Sequence, residues 1–111
     1  PLYIFSQAPQ QRFPAEMIYF NVYKNLNNIN KLSVSRKSFE ELSNPYFSIM
    51  LEREKDLNLV NMMDLFCNEE ICPIGTYNQS YYSDANHLSI VGTKKISDTI
   101  SDLIKNINSN L

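Results

Sequence analysis

Apolar residues are unevenly distributed along the chain, with a short run at its start and a long periodic run at its end. Residues 2–5 are aromatic, leucine or isoleucine, and a loop-like Ser-Gln-Ala-Pro follows them, which predicts a short strand. Because no polar residue alternates within this run, we expect both of its faces to be covered, as in a parallel sheet. At the other end, Ser89 is a good N-cap for a final helix, whose apolar residues recur at helical spacing: Ile96, Ile100, Leu103, Ile104 and Ile107.

The first half of the chain is otherwise weakly patterned. Two prolines predict a loop over residues 7–20, and the Asn-rich segment 21–33 has enough apolar periodicity for a short helix. Ser35 can cap a further helix. Asn44-Pro45 either kinks that helix or starts a second one, which ends in the charged stretch 52–56.

The second half contains another strand pattern. Residues 57–62 alternate between apolar and polar positions, and a loop bounded by two cysteines follows, up to Tyr82. The resulting order is strand, helix, strand, loop and helix. That order predicts an α/β layered domain in which the last helix packs on the sheet.

Length and composition restrict the class of protein. A chain of 111 residues fits one domain or part of one, and 43% hydrophobic with 20% charged residues is typical of a globular protein. A net charge of -2 argues against nucleic-acid binding. No apolar run reaches the roughly 20 residues of a spanning helix. The chain starts with Pro1 rather than methionine, so we expect a fragment or a processed product. It has only two glycines and no phosphate loop or dinucleotide fingerprint, so we predict no cofactor.

The strongest chemical signal lies between Tyr81 and Ser89. This segment contains the only histidine, His87, with Asp84 three residues before it. Such a pair in a loop ahead of a helix can form two members of a hydrolytic triad. The carboxylate fixes one imidazole tautomer, and the imidazole accepts a proton from the nucleophile. The alternative is a histidine in a loop with no special role.

Cys67 and Cys72 leave three interpretations open. They can form a small-loop disulfide, which implies an oxidising compartment, or they can be two unrelated buried thiols. They can also bind a metal ion together with Asp84 and His87, although structural zinc sites favour tighter spacing. The spacing favours the disulfide, which would stiffen the loop that carries Asp84 and His87.

No serine nucleophile is evident in the chain. It has neither a Gly-x-Ser-x-Gly elbow nor a Gly-Asp-Ser block. Ser83 and Ser89 lie on either side of the histidine, but Ser89 is better explained as a helix cap. We interpret Tyr77, Tyr81 and Tyr82 as cover for the sheet edge or as the lining of a cleft.

The histidine segment and the helix after it resemble the last motif block of the SGNH/GDSL hydrolase superfamily. The residues that carry the resemblance are Tyr82-Ser83-Asp84-Ala85-Asn86-His87-Leu88-Ser89 and Val91-Gly92. The version with His-Leu-Ser before a glycine is similar to SGNH domains fused to membrane O-acyltransferases of the acyltransferase-3 type. Those domains also tend to have a cysteine pair upstream, like Cys67 and Cys72, and a strand followed by proline, like residues 1–9.

The resemblance implies a fold and two site residues. The fold is a three-layer α/β/α, flavodoxin-like arrangement with a mostly parallel sheet. Asp84 would be the orienting carboxylate and His87 the general base of a Ser-His-Asp triad. The serine and oxyanion-hole residues of this family lie in blocks upstream of this chain. We therefore expect residues 1–111 to be a single partial domain, the C-terminal half of an SGNH domain, and to be inactive on esters by itself.

For the parent protein, the resemblance implies an O-acyltransferase or esterase acting on acyl esters, chiefly acetyl esters, of extracytoplasmic glycans. These would be lipopolysaccharide, another surface polysaccharide or peptidoglycan. The implied partners are a glycan acceptor, an acyl donor, the other half of the domain and a membrane acyltransferase domain. The implied location is the periplasmic or extracellular face of the inner membrane. Because a free half-domain exposes a sheet edge, we expect the chain to self-associate. The alternatives are a non-catalytic SGNH-like module that binds glycan or a partner, and a small metal site.

Overall fold

The protein is described here by a computed structural model of residues 2–21, 26–53 and 57–109. These residues contain five helices and four short strands. In chain order they are β1 (Leu2–Phe5), α1 (Ala15–Asn21), α2 (Leu26–Leu32), β2 (Val34–Ser35), α3 (Arg36–Arg53), β3 (Leu57–Val60), α4 (Met63–Phe66), β4 (Ile71–Cys72) and α5 (Ile90–Ser109). Helices and strands are interleaved and one strand pair is parallel, which agrees with the predicted α/β class.

The first and third strands form the parallel pair. Leu2 lies opposite Leu57 and Phe5 opposite Val60, and the Ser6 N–H extends the ladder by donating to the Val60 carbonyl at 3.0 Å. Both predicted strands are therefore confirmed, the second over residues 57–60 of the predicted 57–62, and residues 2–5 have a parallel neighbour as expected. The structure adds that the two strands pair with each other. The side chains of residues 3–5 are only partly buried, so the expected cover on both faces is wrong here. Among the described residues, β1 has a single neighbouring strand, and two strands make a sheet too narrow to enclose it.

A second, antiparallel pair joins β2 to β4. Val34 lies opposite Cys72, and Ser35 lies opposite Ile71. The sequence predicted only a loop from the first cysteine to Tyr82, because a two-residue strand is too short to show alternation. This pair brings the cysteine segment beside the start of α3.

Helix α1 contradicts the loop predicted for residues 7–20. Pro14 directly precedes the helix, and its missing N–H costs little there because the first N–H groups of a helix have no intrahelical partner. Ala15 and Ile18 are three residues apart and both are buried, so they hold the helix against the core. The two prolines predicted a loop, because a helix of seven residues is too short to show a clear apolar periodicity.

The other helices largely follow the sequence. Ser35 accepts a hydrogen bond from the Ser38 N–H at 3.1 Å, which confirms it as the cap of α3. Helix α3 continues past Pro45 to Arg53, so a second helix starting there is wrong. Helix α2 lies inside the predicted segment 21–33. Residues 22–25, and residues 54–56 of the predicted charged helix end, lie outside the described residues.

A buried cluster lies between α1, α2 and the loop that precedes α5. Its buried members are Ala15, Ile18, Ile29, Ile74 and Tyr82. Helix α5 contacts this region through its first turns, whereas Ile100 and Ile104 further along are exposed. The predicted packing of α5 on the sheet, and the three-layer arrangement with it, therefore remain predictions.

Candidate active site

The Asp84 carboxylate and the His87 imidazole are hydrogen-bonded to each other. His87 Nδ1 lies 2.7 Å from Asp84 Oδ2, while Asp84 Oδ1 accepts the backbone N–H groups of Asn86 at 2.9 Å and of His87 at 2.7 Å. One carboxylate thus forms the turn and orients the imidazole that the turn carries. This is the local bonding for which aspartate is favoured at the start of a turn.

These hydrogen bonds also fix the charge of Asp84. The N–H of His87 first, then the N–H of Asn86 and the imidazole, lower the pKa of Asp84 from 3.8 to about 2. The carboxylate is therefore ionised at neutral pH. An ionised acceptor at Nδ1 favours the tautomer in which Nδ1 carries the proton, and Nε2 is then the basic nitrogen.

The imidazole edge that bears Nε2 is open. The His87 side chain is 75% exposed and that of Asp84 44%. Within the described residues, the imidazole makes its hydrogen bond through Nδ1, and Nε2 makes none. A group outside this chain can therefore reach Nε2 without displacing any contact.

The turn is closed by its own backbone. The N–H and Oγ of Ser83 donate to the His87 carbonyl at 2.8 and 3.2 Å, and Tyr82 and Leu88 form an antiparallel bridge below it. Neither Ser83 nor Ser89 bonds to the imidazole, so neither takes the position of a nucleophile. The turn is a small closed hairpin, and His87 pairs with Ser83 where the turn ends.

Tyr82 anchors the base of this hairpin. Its side chain is 1% exposed, and its hydroxyl donates to the Pro9 carbonyl at 2.6 Å. Burial raises the pKa of Tyr82 to about 12, so the hydroxyl stays protonated and keeps its role as donor. Three tyrosines were predicted to cover a sheet edge or line a cleft. Of these, Tyr82 is a core residue, Tyr81 is half-buried and Tyr77 is 58% exposed.

Two residues of one distant segment hold the outer side of the turn. The Gln11 N–H donates to the Ala85 carbonyl at 2.8 Å, and the Ala15 N–H, at the start of α1, donates to the Asp84 carbonyl at 3.3 Å. Sequence reasoning missed both contacts, because residues 11 and 15 lie in a segment predicted as a plain loop. The buried apolar pair of α1 was the only available signal.

The predicted cap at Ser89 fixes where α5 begins. Its Oγ accepts the Gly92 N–H at 3.2 Å and donates to the Ser80 carbonyl at 2.6 Å. Gly92 is required by close approach, since a Cβ there would collide with the Tyr81 carbonyl oxygen. The cap and the glycine together place the first turn of α5 directly after the histidine hairpin.

Lys95, one turn further along α5, holds the same junction. Its Nζ lies 4.7 Å from the centroid of the Tyr81 ring and 5.7 Å from that of Phe66, within the range of cation–π attraction. It also donates to the Leu65 carbonyl at 3.4 Å. The first two turns of α5 are therefore attached to α4 as well as to the hairpin.

Cys67 and Cys72 form a disulfide. The hypothesis of a metal site built from these cysteines is wrong, because both thiols are consumed in the bond and neither can act as a thiolate ligand. Throughout the described ranges, no group of three or more His, Cys, Asp or Glu side chains is arranged to hold a metal ion. Two hydrogen bonds through Gln11 connect the disulfide to the hairpin, because the Gln11 side chain donates to the Cys72 carbonyl and the Gln11 N–H donates to the Ala85 carbonyl.

The family model of the SGNH domain (fused to AT3 domains) matches residues 1–102, and the chain belongs to this family. The resemblance inferred from the motif is thereby confirmed. Membership indicates an acyltransferase-like or esterase-like module in a membrane-associated parent that also carries an AT3 domain. No curated protein and no solved structure shows significant similarity to the chain. None of the helices in the described segments is both long and apolar enough to cross a bilayer.

Proposed function

We propose that residues 1–111 supply the general base and its orienting carboxylate to a Ser-His-Asp acyl-transfer site. The observation that carries the proposal is the 2.7 Å bond between His87 Nδ1 and Asp84 Oδ2 on an imidazole whose Nε2 side is open. A triad needs this tautomer and this exposure, because Nε2 must reach a serine hydroxyl. Family membership supports the same reaction class.

The reaction proceeds in two steps. His87 Nε2 accepts the proton of a serine hydroxyl as the serine oxygen attacks the ester carbonyl, and it then protonates the departing alcohol. The resulting serine ester is attacked by a glycan hydroxyl, for transfer, or by water, for hydrolysis, with His87 again as the base. Asp84 stays ionised throughout and stabilises the imidazolium. The serine and the oxyanion donors come from outside residues 1–111, which contain no Gly-Asp-Ser block.

The substrates and the location form part of the same proposal. The acyl group is chiefly acetyl, and the acceptor is an extracytoplasmic glycan, such as lipopolysaccharide, another surface polysaccharide or peptidoglycan. The Cys67–Cys72 disulfide supports a periplasmic or extracellular location, since disulfides persist in oxidising compartments. The AT3 domain of the family supports tethering to a membrane and an acyl supply from that domain.

The decisive experiment uses the parent protein that contains residues 1–111 and its AT3 domain. His87→Ala and Asp84→Asn are each expected to lower kcat for acetyl-ester turnover by about 10⁴-fold or more. Lys105→Ala, on the exposed surface of α5, is the control with unchanged kcat. Retention of wild-type turnover by His87→Ala would refute the catalytic role and favour a non-catalytic glycan-binding module.

The 111-residue chain alone gives a complementary test. Without a serine and an oxyanion hole, the imidazole has no nucleophile to activate, so the chain should hydrolyse an unactivated ester such as ethyl acetate no faster than its His87→Ala variant. Faster hydrolysis by the wild-type chain would mean that the nucleophile lies within residues 1–111.

A further inference from the structure

Gln11 occupies an unusual position in the core. It is 3% exposed, although it is a polar residue in an irregular segment. Its Oε1 accepts the Val34 N–H at 2.9 Å, and its Nε2 donates to the Cys72 carbonyl at 2.8 Å. Val34 and Cys72 are register partners of the β2–β4 pair. The side-chain amide therefore bridges the two strands at this position, as a peptide group would.

The backbone of the same residue contacts the candidate site. The Gln11 N–H donates to the Ala85 carbonyl at 2.8 Å, and Ala85 lies between Asp84 and His87 in the turn. Gln11 thus forms hydrogen bonds to the β2–β4 pair with its side chain and to the turn that carries Asp84 and His87 with its backbone. The strand pair is itself restrained, since Cys72 is in the disulfide.

We propose that Gln11 is a positioning residue for the Asp84–His87 pair, an inference that rests on the proposed function. It touches neither the carboxylate nor the imidazole, and it acts through the Ala85 carbonyl. Fixing this carbonyl limits rotation of the turn, so that Nε2 points where a serine must meet it. A misplacement of about 1 Å in such a site costs on the order of 10²-fold in rate.

The chemistry of this position explains the residue type. The bridge needs an acceptor for the Val34 N–H and a donor for the Cys72 carbonyl on one side chain. Glutamine offers both, ionised glutamate offers only acceptors, and methionine of similar length offers neither a donor nor a strong acceptor. Loss of the amide leaves two buried backbone groups without their partner, and relieving that cost moves the segment that holds Ala85.

The first test requires no variant. Because the Gln11 N–H is bonded to Ala85, its hydrogen exchange in the wild-type chain should be slowed well below that of the exposed neighbour Gln10. Exchange of the Gln11 N–H at the rate of Gln10 would show that the bond to the turn does not persist, and it would overturn the proposal.

The second test compares Gln11→Met with Gln10→Met as the matched exposed control. Nitrogen NMR of a histidine-labelled chain reports His87 alone, because it is the only histidine. At temperatures below the melting temperature of the variant, Gln11→Met should weaken the nitrogen NMR signal pattern of the Nδ1-protonated tautomer of His87. It should also speed exchange of the Nδ1 proton with solvent. Gln11→Asn, which keeps both groups on a shorter stem, should give a smaller change in the same direction. Gln10→Met should give none.

The same variants in the parent protein separate positioning from stability. Gln11→Met should lower kcat by roughly 10-fold to 100-fold with KM nearly unchanged. A lower melting temperature with unchanged kcat and unchanged His87 spectra would identify Gln11 as a structural core residue and refute the proposal. If His87 has no catalytic role, the His87→Ala variant of the parent protein will keep wild-type turnover. The NMR spectra of His87 test the positioning by Gln11 independently of that result.

Discussion

The histidine hairpin precedes α5 in the chain, but the hairpin and the second half of α5 differ in how they are held. The hairpin is tied to residues 9, 11 and 15 by backbone or side-chain hydrogen bonds that span about 70 positions of the chain. In the second half of α5, Ile100 is 40% exposed to solvent and Ile104 is 53% exposed. The hairpin therefore depends on tertiary contacts within this chain, whereas the end of α5 contributes little apolar burial to it.

The comparison extends to α3, which also presents apolar residues outward. Leu42 and Tyr46 are exposed, and with Phe5 and Phe39 they line a groove of about 440 Å³ beside the end of β1. The site thus has a buried, hydrogen-bonded base in this chain, while apolar surface remains on α3 and α5. This difference predicts that substitutions at the hairpin will change stability much more than substitutions on the outer helix faces.

The largest effect is expected for Tyr82→Ala. Loss of this buried side chain removes its packing and leaves the Pro9 carbonyl without its donor, which should cost about 3–5 kcal/mol. Tyr77→Ala, at an exposed tyrosine, should stay within about 0.5 kcal/mol. Urea unfolding followed by circular dichroism measures both. Similar losses for the two variants would contradict the difference between hairpin and surface.

Gly92→Ala should destabilise the chain by about 1–3 kcal/mol, because the added Cβ would collide with the Tyr81 carbonyl. The sign of the stability change is informative, since a Gly→Ala substitution inside a helix normally stabilises the protein by about 0.5–1 kcal/mol. Ser97→Ala, on the exposed side of the same helix, provides the control, with a small stabilisation expected. A stabilised Gly92→Ala would mean that α5 can separate from the hairpin.

A smaller effect should appear at acidic pH. The pKa of Asp84 is lower in the folded chain than its ordinary value of 3.8, so its stabilising contribution is complete above that value and is lost as the pH falls through about 2. The stability difference between wild type and Asp84→Asn should therefore shrink between neutral pH and about 2. A difference that stays constant over this range would show that the carboxylate does not stabilise the turn.

The smallest effect on stability is expected for Ile104→Lys. The side chain is half exposed, so the free energy of unfolding should change by no more than about 0.5 kcal/mol. The variant should nevertheless reduce the self-association expected of the wild-type chain, because it removes apolar surface. Sedimentation velocity over a concentration series measures this. A loss above about 2 kcal/mol would instead place Ile104 in a packed core.

Much of the candidate site was predictable because its signals are local. An aspartate three residues before a histidine can close its own turn, and Ser89 can cap a helix that starts directly after it. A parallel neighbour for residues 2–5 was also predictable, since continuous apolar runs are typical of parallel sheets. The alternating residues 57–60 did not indicate that they are this neighbour. Helix α1 and the β2–β4 pair were missed, because their seven and two residues are too short for a clear periodicity.

The sequence by itself predicted the pairing of Asp84 with His87, the cap of α5 and the family of the chain. These properties depend on residue type and on spacings of a few positions. Only the tertiary structure decided that Tyr82 is a core residue, that Gln11 bridges a strand pair to the turn, and that the apolar end of α5 is exposed. Burial and long-range hydrogen bonds depend on which segments meet after folding, and no local pattern encodes the meeting of residue 11 with residue 85.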